Sequence, residues 1–193
     1  MNVVVTGANG FIGRNLRLRL SEIEGMETVA VKRETTPDQL RAALSEADAI
    51  IHLAGVNRPQ DPAEFTIGNA DQTAALVEAL GDRAVPVIYS SSTQAEAGNP
   101  YGASKRAAED HLRAYAKATG APVAIYRLPN VFGKWARPNY NSAIATFCHN
   151  IARDLPITVN DPSAPLTLVY VDDVIEAFLG WLKAPEVVDG FAE

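Results

Sequence analysis

Apolar residues follow two rhythms along this chain. Short unbroken runs rich in Val and Ile alternate with longer stretches where apolar positions recur every third or fourth residue. The first rhythm predicts strands buried on both faces, the second amphipathic helices. Strands are expected at 3–5, 27–32, 49–53, 85–90 and 123–128, with short ones at 157–159 and 166–170. Leu16, Leu20 and Ile23 mark a first helix, and further helices are expected at 37–47, 65–80, 101–119, 142–153 and 171–183. Residues 54–61, with Gly55, Asn57 and Pro59, read as a loop, 98–100 as a turn, and 129–140 as an irregular segment. Strand–helix alternation implies an α/β fold of the Rossmann type, a doubly wound parallel sheet covered on both faces. No repeat or interdomain linker interrupts it, so residues 1–193 read as one domain. Residues 185–193 trail off without a strand to close the last unit. Either the fold is minimal, or further sequence is missing; the second reading is favoured.

Bulk properties narrow the function classes. The 193 residues are 47% hydrophobic and 21% charged, ordinary for a soluble globular protein. A net charge of −6 argues against general nucleic-acid binding. One cysteine, Cys148, excludes an internal disulfide and is expected to be a small buried hydrophobe rather than a reactive thiol. The chain enters its first strand at once, leaving no room for a signal peptide, and no apolar run approaches the ~20 residues of a membrane span. A soluble cytoplasmic protein without membrane contact is expected.

Candidate chemistry begins at 2–13, NVVVTGANGFIG. A strand runs into Gly7, Gly10 and Gly13 and then into a helix, the arrangement of a dinucleotide phosphate site. Gly7 permits the turn, Gly10 lets backbone approach a pyrophosphate, and Gly13 lets helix pack on strand; Asn9, Phe11 and Ile12 fill the rest of the cofactor-contacting turn. The helix start offers free N–H groups to the anion. After the second strand, where an acid would hold the ribose 2′-hydroxyl of NAD, this chain has Lys32 and Arg33. Arg33 suits a 2′-phosphate and so NADP(H), although Glu34 follows at once, NAD(H) stays possible, and a solvated strand-end charge is the plainer alternative. Tyr101 and Lys105, four residues apart at a helix start, share a face, and a cation beside a phenol lowers its pKa. With a hydroxyl from 90–92, such a tyrosine can move a proton to or from a carbonyl oxygen. These parts suit a ketone/alcohol oxidoreductase using a nicotinamide.

TGANGFIG, HLAG, SSS and YGASK, in this order, resemble the extended short-chain dehydrogenase/reductase family acting on nucleotide sugars, the epimerase/dehydratase superfamily. The resemblance implies a catalytic triad of Ser92, Tyr101 and Lys105, with Ser91 the alternative serine if the register shifts by one. It places Leu53, Ala54, Gly55 and Leu128 beside the cofactor, and Asn69 on the helix beneath the active site. In LPNVFG (128–133), Asn130 would contact the sugar nucleotide. LAGVNRP (53–59), the short 92–101 loop and FGKWARPNYNSAIATFCHNIAR (132–153) are similar to one bacterial subgroup. Its members, from capsule and O-antigen synthesis, reduce a UDP-2-acetamido-2,6-dideoxy-hexos-4-ulose with NADPH on the route to UDP-N-acetyl-L-fucosamine. They also carry a C-terminal cupin domain, before which this chain stops. Asn57 and Arg58 would then face the UDP-sugar, and 129–170 would supply substrate-binding elements as a small, partly truncated C-terminal substrate-binding region.

Departures from the wider family bear on the reaction. Sugar dehydratases carry an acid directly after the serine or threonine position; here stand Thr93 and Gln94, so dehydration is not expected. The 92–101 loop is shorter than in 4-epimerases, which favours simple reduction; a nucleotide-sugar 4-epimerase and a non-catalytic NADP-binding protein are the alternatives. In 134–141, KWARPNYN, Lys134 and Arg137 suit a diphosphate, Trp135 or Tyr140 could stack on uracil or sugar, and Asn141 adds an amide; the alternative is a solvated loop. His52 is expected to be a satisfied core histidine, and Asp172–Asp173 to favour the start of the last helix rather than a metal, so no metal site is assigned. Related enzymes form homodimers through helices matching 65–80 and 101–119, and Leu76 and Leu80 suit either such pairing or the core.

Overall fold

Valine and isoleucine runs became strands. The computed structural model describes residues 1–159 and 161–186, and its main sheet is five-stranded, ordered β2-β1-β3-β4-β5, with every pairing parallel. The strands are β1 (Asn2–Thr6), β2 (Glu27–Val31), β3 (Ala49–His52), β4 (Val87–Ser92) and β5 (Val123–Leu128). Alternate residues face opposite sides. Val3, Val5, Ile51 and Ile88 pack under α1 (Phe11–Ser21) and α7 (Val171–Lys183). Val4, Ile50, Val87 and Tyr89 join the second core, under α2 (Pro37–Ser45), α4 (Gln72–Leu80) and α5 (Pro100–Thr119). The doubly wound parallel sheet is the one the apolar pattern predicts. Its order reverses between β1 and β3, so the carboxyl ends of these strands form the switch-point crevice where ligands bind in such sheets.

A second, two-stranded parallel sheet joins β6 (Asn130–Phe132) to β7 (Leu168–Tyr170). The sequence pattern treats 129–140 as wholly irregular because β6 is three residues long and its partner lies far along the chain. β7 starts at Leu168 rather than 166, and residues 157–159 form no strand. β4 occupies 87–92 rather than 85–90: all six residues pair with β5, whereas the Val85 N–H donates to Tyr115 Oη. Of the trailing stretch 185–193, residues 187–193 lie outside the described residues.

The expected helix 65–80 starts earlier, at α3 (Ala63–Phe65), and passes through a π turn, Thr66–Asp71, before α4. Asn69 accounts for the distortion. Its buried amide accepts from Val56 N (3.0 Å) and donates to Val56 O (3.0 Å), pairing the helix with the loop after β3. Leu76 and Leu80 are buried in the monomer core, so they carry no argument for pairing between copies. Cys148, on α6 (Ala143–Ile151), is exposed rather than buried, because α6 buries none of its residues. Among the described residues no helix is long and apolar enough to cross a membrane.

Candidate active site

A cleft of about 910 Å³ opens at the carboxyl ends of β1, β3, β4 and β5. Its floor is the glycine turn. Gly7 has φ +65°, and a Cβ there would stand 2.7 Å from Leu53 C and Ala54 N. A Cβ at Gly13 would collide with the Gly7 carbonyl oxygen. Gly10 is the N-cap of α1 and offers no capping side chain, so first-turn N–H groups face the crevice uncapped. This bare backbone against a helix start fits the diphosphate of a dinucleotide.

Ser92 ends β4, held as the strand pairs with β5 at Leu128; its Oγ accepts from Gln94 N (3.2 Å) and caps the 3-10 turn Thr93–Glu96. Tyr101 opens α5, where Asn99 caps the helix by accepting from Gly102 N (2.7 Å) and Pro100 sits in the first turn. Burial raises the Tyr101 pKa, and a hydrogen bond with Ser92 opposes that rise. One turn on, Lys105 is almost fully buried, and its ammonium donates to Ser90 O (2.9 Å) and Tyr89 Oη (3.2 Å). Burial lowers the Lys105 pKa to about 8, with Glu109 acting in the opposite direction. The expected depression of the Tyr101 pKa by Lys105 is thus not seen: the lysine reaches under β4 instead, and desolvation governs the phenol. Tyr89 is likewise pushed up, chiefly by burial. His52 is the satisfied core histidine expected, with Nδ1 2.6 Å from Thr6 Oγ1 and Nε2 2.9 Å from Thr73 Oγ1.

Most sequence-chosen residues line this one cleft. Gly7, Asn9, Gly10, Phe11, Ile12, Gly13, Leu53 and Gly55 form its glycine-turn end, with Ser92, Tyr101, Lys105 and Leu128 beyond. Asn57, Asn130, Arg137, Tyr140 and Asn141 form the opposite end, where Tyr140 Oη donates to Asn57 Oδ1 (3.0 Å). Ala54 lies behind Gly7, its N–H donating to Thr6 Oγ1 (3.2 Å). Arg58 and Arg137 set their guanidinium carbons 5.9 and 5.5 Å from the Tyr140 ring centre. Arg33 stands two residues beyond β2, at the strand end beside β1, and does not line the cleft. Lys134 is turned away, its ammonium 3.0 Å from Asp172 Oδ2. That pairing, with Asp172 in the first turn of α7, draws the cation off the ligand side.

Three cleft features escaped the sequence reading. Arg14 lines the glycine-turn end, 5.1 Å from the ring centre of Trp135, itself held at φ 65°. Phe65 packs on Tyr101 with ring centres 5.6 Å apart. Beneath the cleft the buried Glu109 pairs with the partly buried Arg127. Only the position of Arg14, directly after Gly13, carried a signal.

A bare glycine turn at a sheet switch point, sharing a cleft with Ser92 and the Tyr101–Lys105 helix start, defines a dinucleotide-binding α/β protein of the Rossmann class. The chain belongs to the NAD dependent epimerase/dehydratase family, whose model matches residues 3–190. It is 56% identical over 192 residues to a UDP-2-acetamido-2,6-beta-L-arabino-hexul-4-ose reductase of Pseudomonas aeruginosa, covering 98% of this chain and 50% of that protein. The capsular polysaccharide assembling protein CapF from Staphylococcus aureus has a TM-score of 0.86 at 45% identity, covering 99% of this chain and 53% of that one. The UDP-glucuronic acid 4-epimerase from Bacillus cereus in complex with NAD has a TM-score of 0.87 at 22% identity, a likeness of fold covering 99% of this chain and 77% of that one. The chain spans about half the length of the reductase and of CapF.

Proposed function

We propose that this chain binds NADPH and a UDP-2-acetamido-2,6-dideoxy-hexos-4-ulose and reduces the 4-keto group, supplying a sugar nucleotide for capsule or O-antigen. The observation that carries this is the convergence of Ser92 and Tyr101 on one wall of a cleft floored by a glycine turn. Likeness over nearly the whole chain to the Pseudomonas reductase supports the substrate class. A reduced nicotinamide, when bound, supplies a hydride to the keto carbon. Tyr101 donates its phenolic proton to the oxygen, and the burial that raises its pKa keeps that proton in place at neutral pH. Ser92 donates a hydrogen bond to the same oxygen. Lys105, fixed by Tyr89 and Ser90, sets its positive charge beneath them. Arg33 meets the 2′-phosphate, and Arg137, with Asn57 and Tyr140, takes the sugar-nucleotide end. The first acid after Ser92 is Glu96, and its carboxylate is engaged by Arg127 at 2.6 Å, which leaves Thr93 and Gln94 as the cleft residues at the position dehydratases use for an acid.

The test is calorimetric titration with NADPH and NADH, then turnover of the 4-keto UDP-sugar. NADPH should bind more tightly, with Arg33→Ala weakening it about tenfold and leaving NADH unchanged, the size of one lost charge-assisted contact. Tyr101→Phe should retain cofactor binding and lose about 10²–10⁴ in kcat. Turnover without added reductant would mark an epimerase instead, and wild-type kcat in Tyr101→Phe would overturn the assignment.

A further inference from the structure

Two turns below Tyr101 on α5, and one below Lys105, Glu109 is fully buried. Arg127 of β5 grips it at both oxygens, Nε to Oε1 at 2.9 Å and Nη2 to Oε2 at 2.7 Å. Ser91 Oγ donates to the same Oε1 at 2.5 Å, and Arg113 lies 3.5 Å from Oε2. Arg127 also reaches forward, Nη1 to Glu96 Oε1 at 2.6 Å, in the 3-10 turn that leads from Ser92 towards Tyr101. A second arginine, Arg106 of α5, donates to Ala95 O in that turn through Nε at 2.9 Å. One buried carboxylate thus joins the end of β4, the turn after it, β5 and the helix bearing Tyr101 and Lys105.

We propose that Glu109 and Arg127 are positioning residues, fixing Ser92 and Lys105 relative to each other by tying Ser91, Glu96 and α5 into one unit. The proposal rests on the roles given above to Ser92, Tyr101 and Lys105. A buried ion pair adds little stability over apolar residues of like volume, so stability alone is a weak reason for this one. Its place is informative: it meets Ser91, next to Ser92, and lies one helical turn from Lys105. Glu109 also acts on Lys105 through charge, opposing the burial that lowers the lysine. The groups around Lys105 are Tyr89 and Ser90 from β4, His52 from β3, and Tyr101 and Glu109 on its own helix. Around Glu109 are Ser91 from β4, Arg127 from β5 and Arg113 on its own helix. Without the negative charge, Lys105 loses its proton at lower pH.

The experiment compares the 193-residue chain with Glu109→Gln and with the double variant Glu109→Leu/Arg127→Met, which removes both charges and so leaves no unpaired arginine if Glu109→Gln fails to fold. Lysine side chains labelled with ¹³C are titrated by NMR, the Lys105 signal being assigned by its loss in Lys105→Met. Turnover is measured across pH in parallel. In both variants the Lys105 midpoint should move to lower pH, the alkaline limb of kcat should move with it, and kcat should fall about tenfold to a hundredfold while the KM for NADPH holds. An unmoved midpoint, with any loss of activity uniform across pH, would overturn the proposal and leave the pair a structural element. Tyr101→Phe is run alongside: full activity there brings down the reductase reading, whereas the NMR midpoint still decides whether Glu109 acts on Lys105.

Discussion

In the main sheet, all of β3, all of β4 and every residue of β1 after Asn2 are buried, whereas β6, α6 and β7 contain no buried residue. The glycine-turn end of the cleft rests on the first region and most of the opposite end on the second. Two packed cores fix the sheet. The 130–170 region meets the first core only through partly buried side chains, Val131, Val169 and Tyr170, and is otherwise tied by polar contacts, among them Asn15 Nδ2 to Lys134 O (2.9 Å), Lys134 to Asp172 (3.0 Å) and Tyr140 to Asn57 (3.0 Å). Ile151, Leu155, Ile157, Val159 and Leu166 of this region are exposed. On the proposed function, the contrast gives the two regions different jobs: a stiff floor that would preset the dinucleotide geometry, and a lightly packed wall that would adjust to a sugar nucleotide.

The largest effect that would test this division is expected at Gly7. Valine there must adopt φ near +65° and place its Cβ against the backbone of Leu53 and Ala54. Strain and overpacking together should cost about 2–6 kcal/mol and lower Tm by several degrees or more. Cofactor binding should vanish even where the variant still folds. A Gly7→Val protein with unchanged Tm and Kd for NADPH would mean that the floor is not stiff.

The next effect is a pH dependence belonging to the sheet. His52 is buried between Thr6 and Thr73, and burial, reinforced by the charge of Lys105, lowers its pKa from 6.5 to about 3. The unfolded chain takes up a proton below pH 6.5 that the folded chain refuses until about 3. Stability should therefore fall as pH drops through that window, by up to about 1.4 kcal/mol per unit. Glu109, held below its usual value of 4.5, adds its own acid loss only at lower pH, so the interval from 6.5 to 4.5 reports His52. Urea midpoints for the wild type and His52→Gln check this: the slope should flatten in the variant, and an equal slope in both would refute the assignment.

Legibility from sequence divides along the same line. β1, β3 and β5 and the Gly7 turn were readable because a strand buried on both faces needs an unbroken apolar run, and a turn at positive φ favours glycine. The start of α5 was readable through Asn99 and Pro100, which leave local marks. β6 and β7 were poorly marked, each being three residues long and stabilised by a remote partner. Nothing local announces the π turn at Thr66–Asp71, which follows from Asn69 pairing with Val56 thirteen residues earlier. Glu109 and Arg127 read in sequence like any surface charges; only the packing of α5 against β4 and β5 buries Glu109 and sets Arg127 upon it. Lys134 was assigned to the ligand by its place in a cationic loop, and Asp172 of α7 decides otherwise.

The smallest effect, and the one that isolates the lightly packed wall, is expected for Tyr140→Phe. Phenylalanine keeps the ring that Arg58 and Arg137 approach at 5.9 and 5.5 Å, so the cation–aromatic contacts survive. Only the hydrogen bond from Oη to Asn57 is lost. A bond between partly solvated groups is worth about 0.5–1.5 kcal/mol net, which corresponds to a few-fold to about tenfold rise in KM for the sugar nucleotide. Because Tyr140 is exposed and outside both cores, Tm should stay within about 2 °C of wild type, and Kd for NADPH should not move. Melting as low as that of Gly7→Val would show the wall to be part of the same rigid unit as the floor. A raised KM with unchanged Tm and cofactor affinity is what separate floor and wall require.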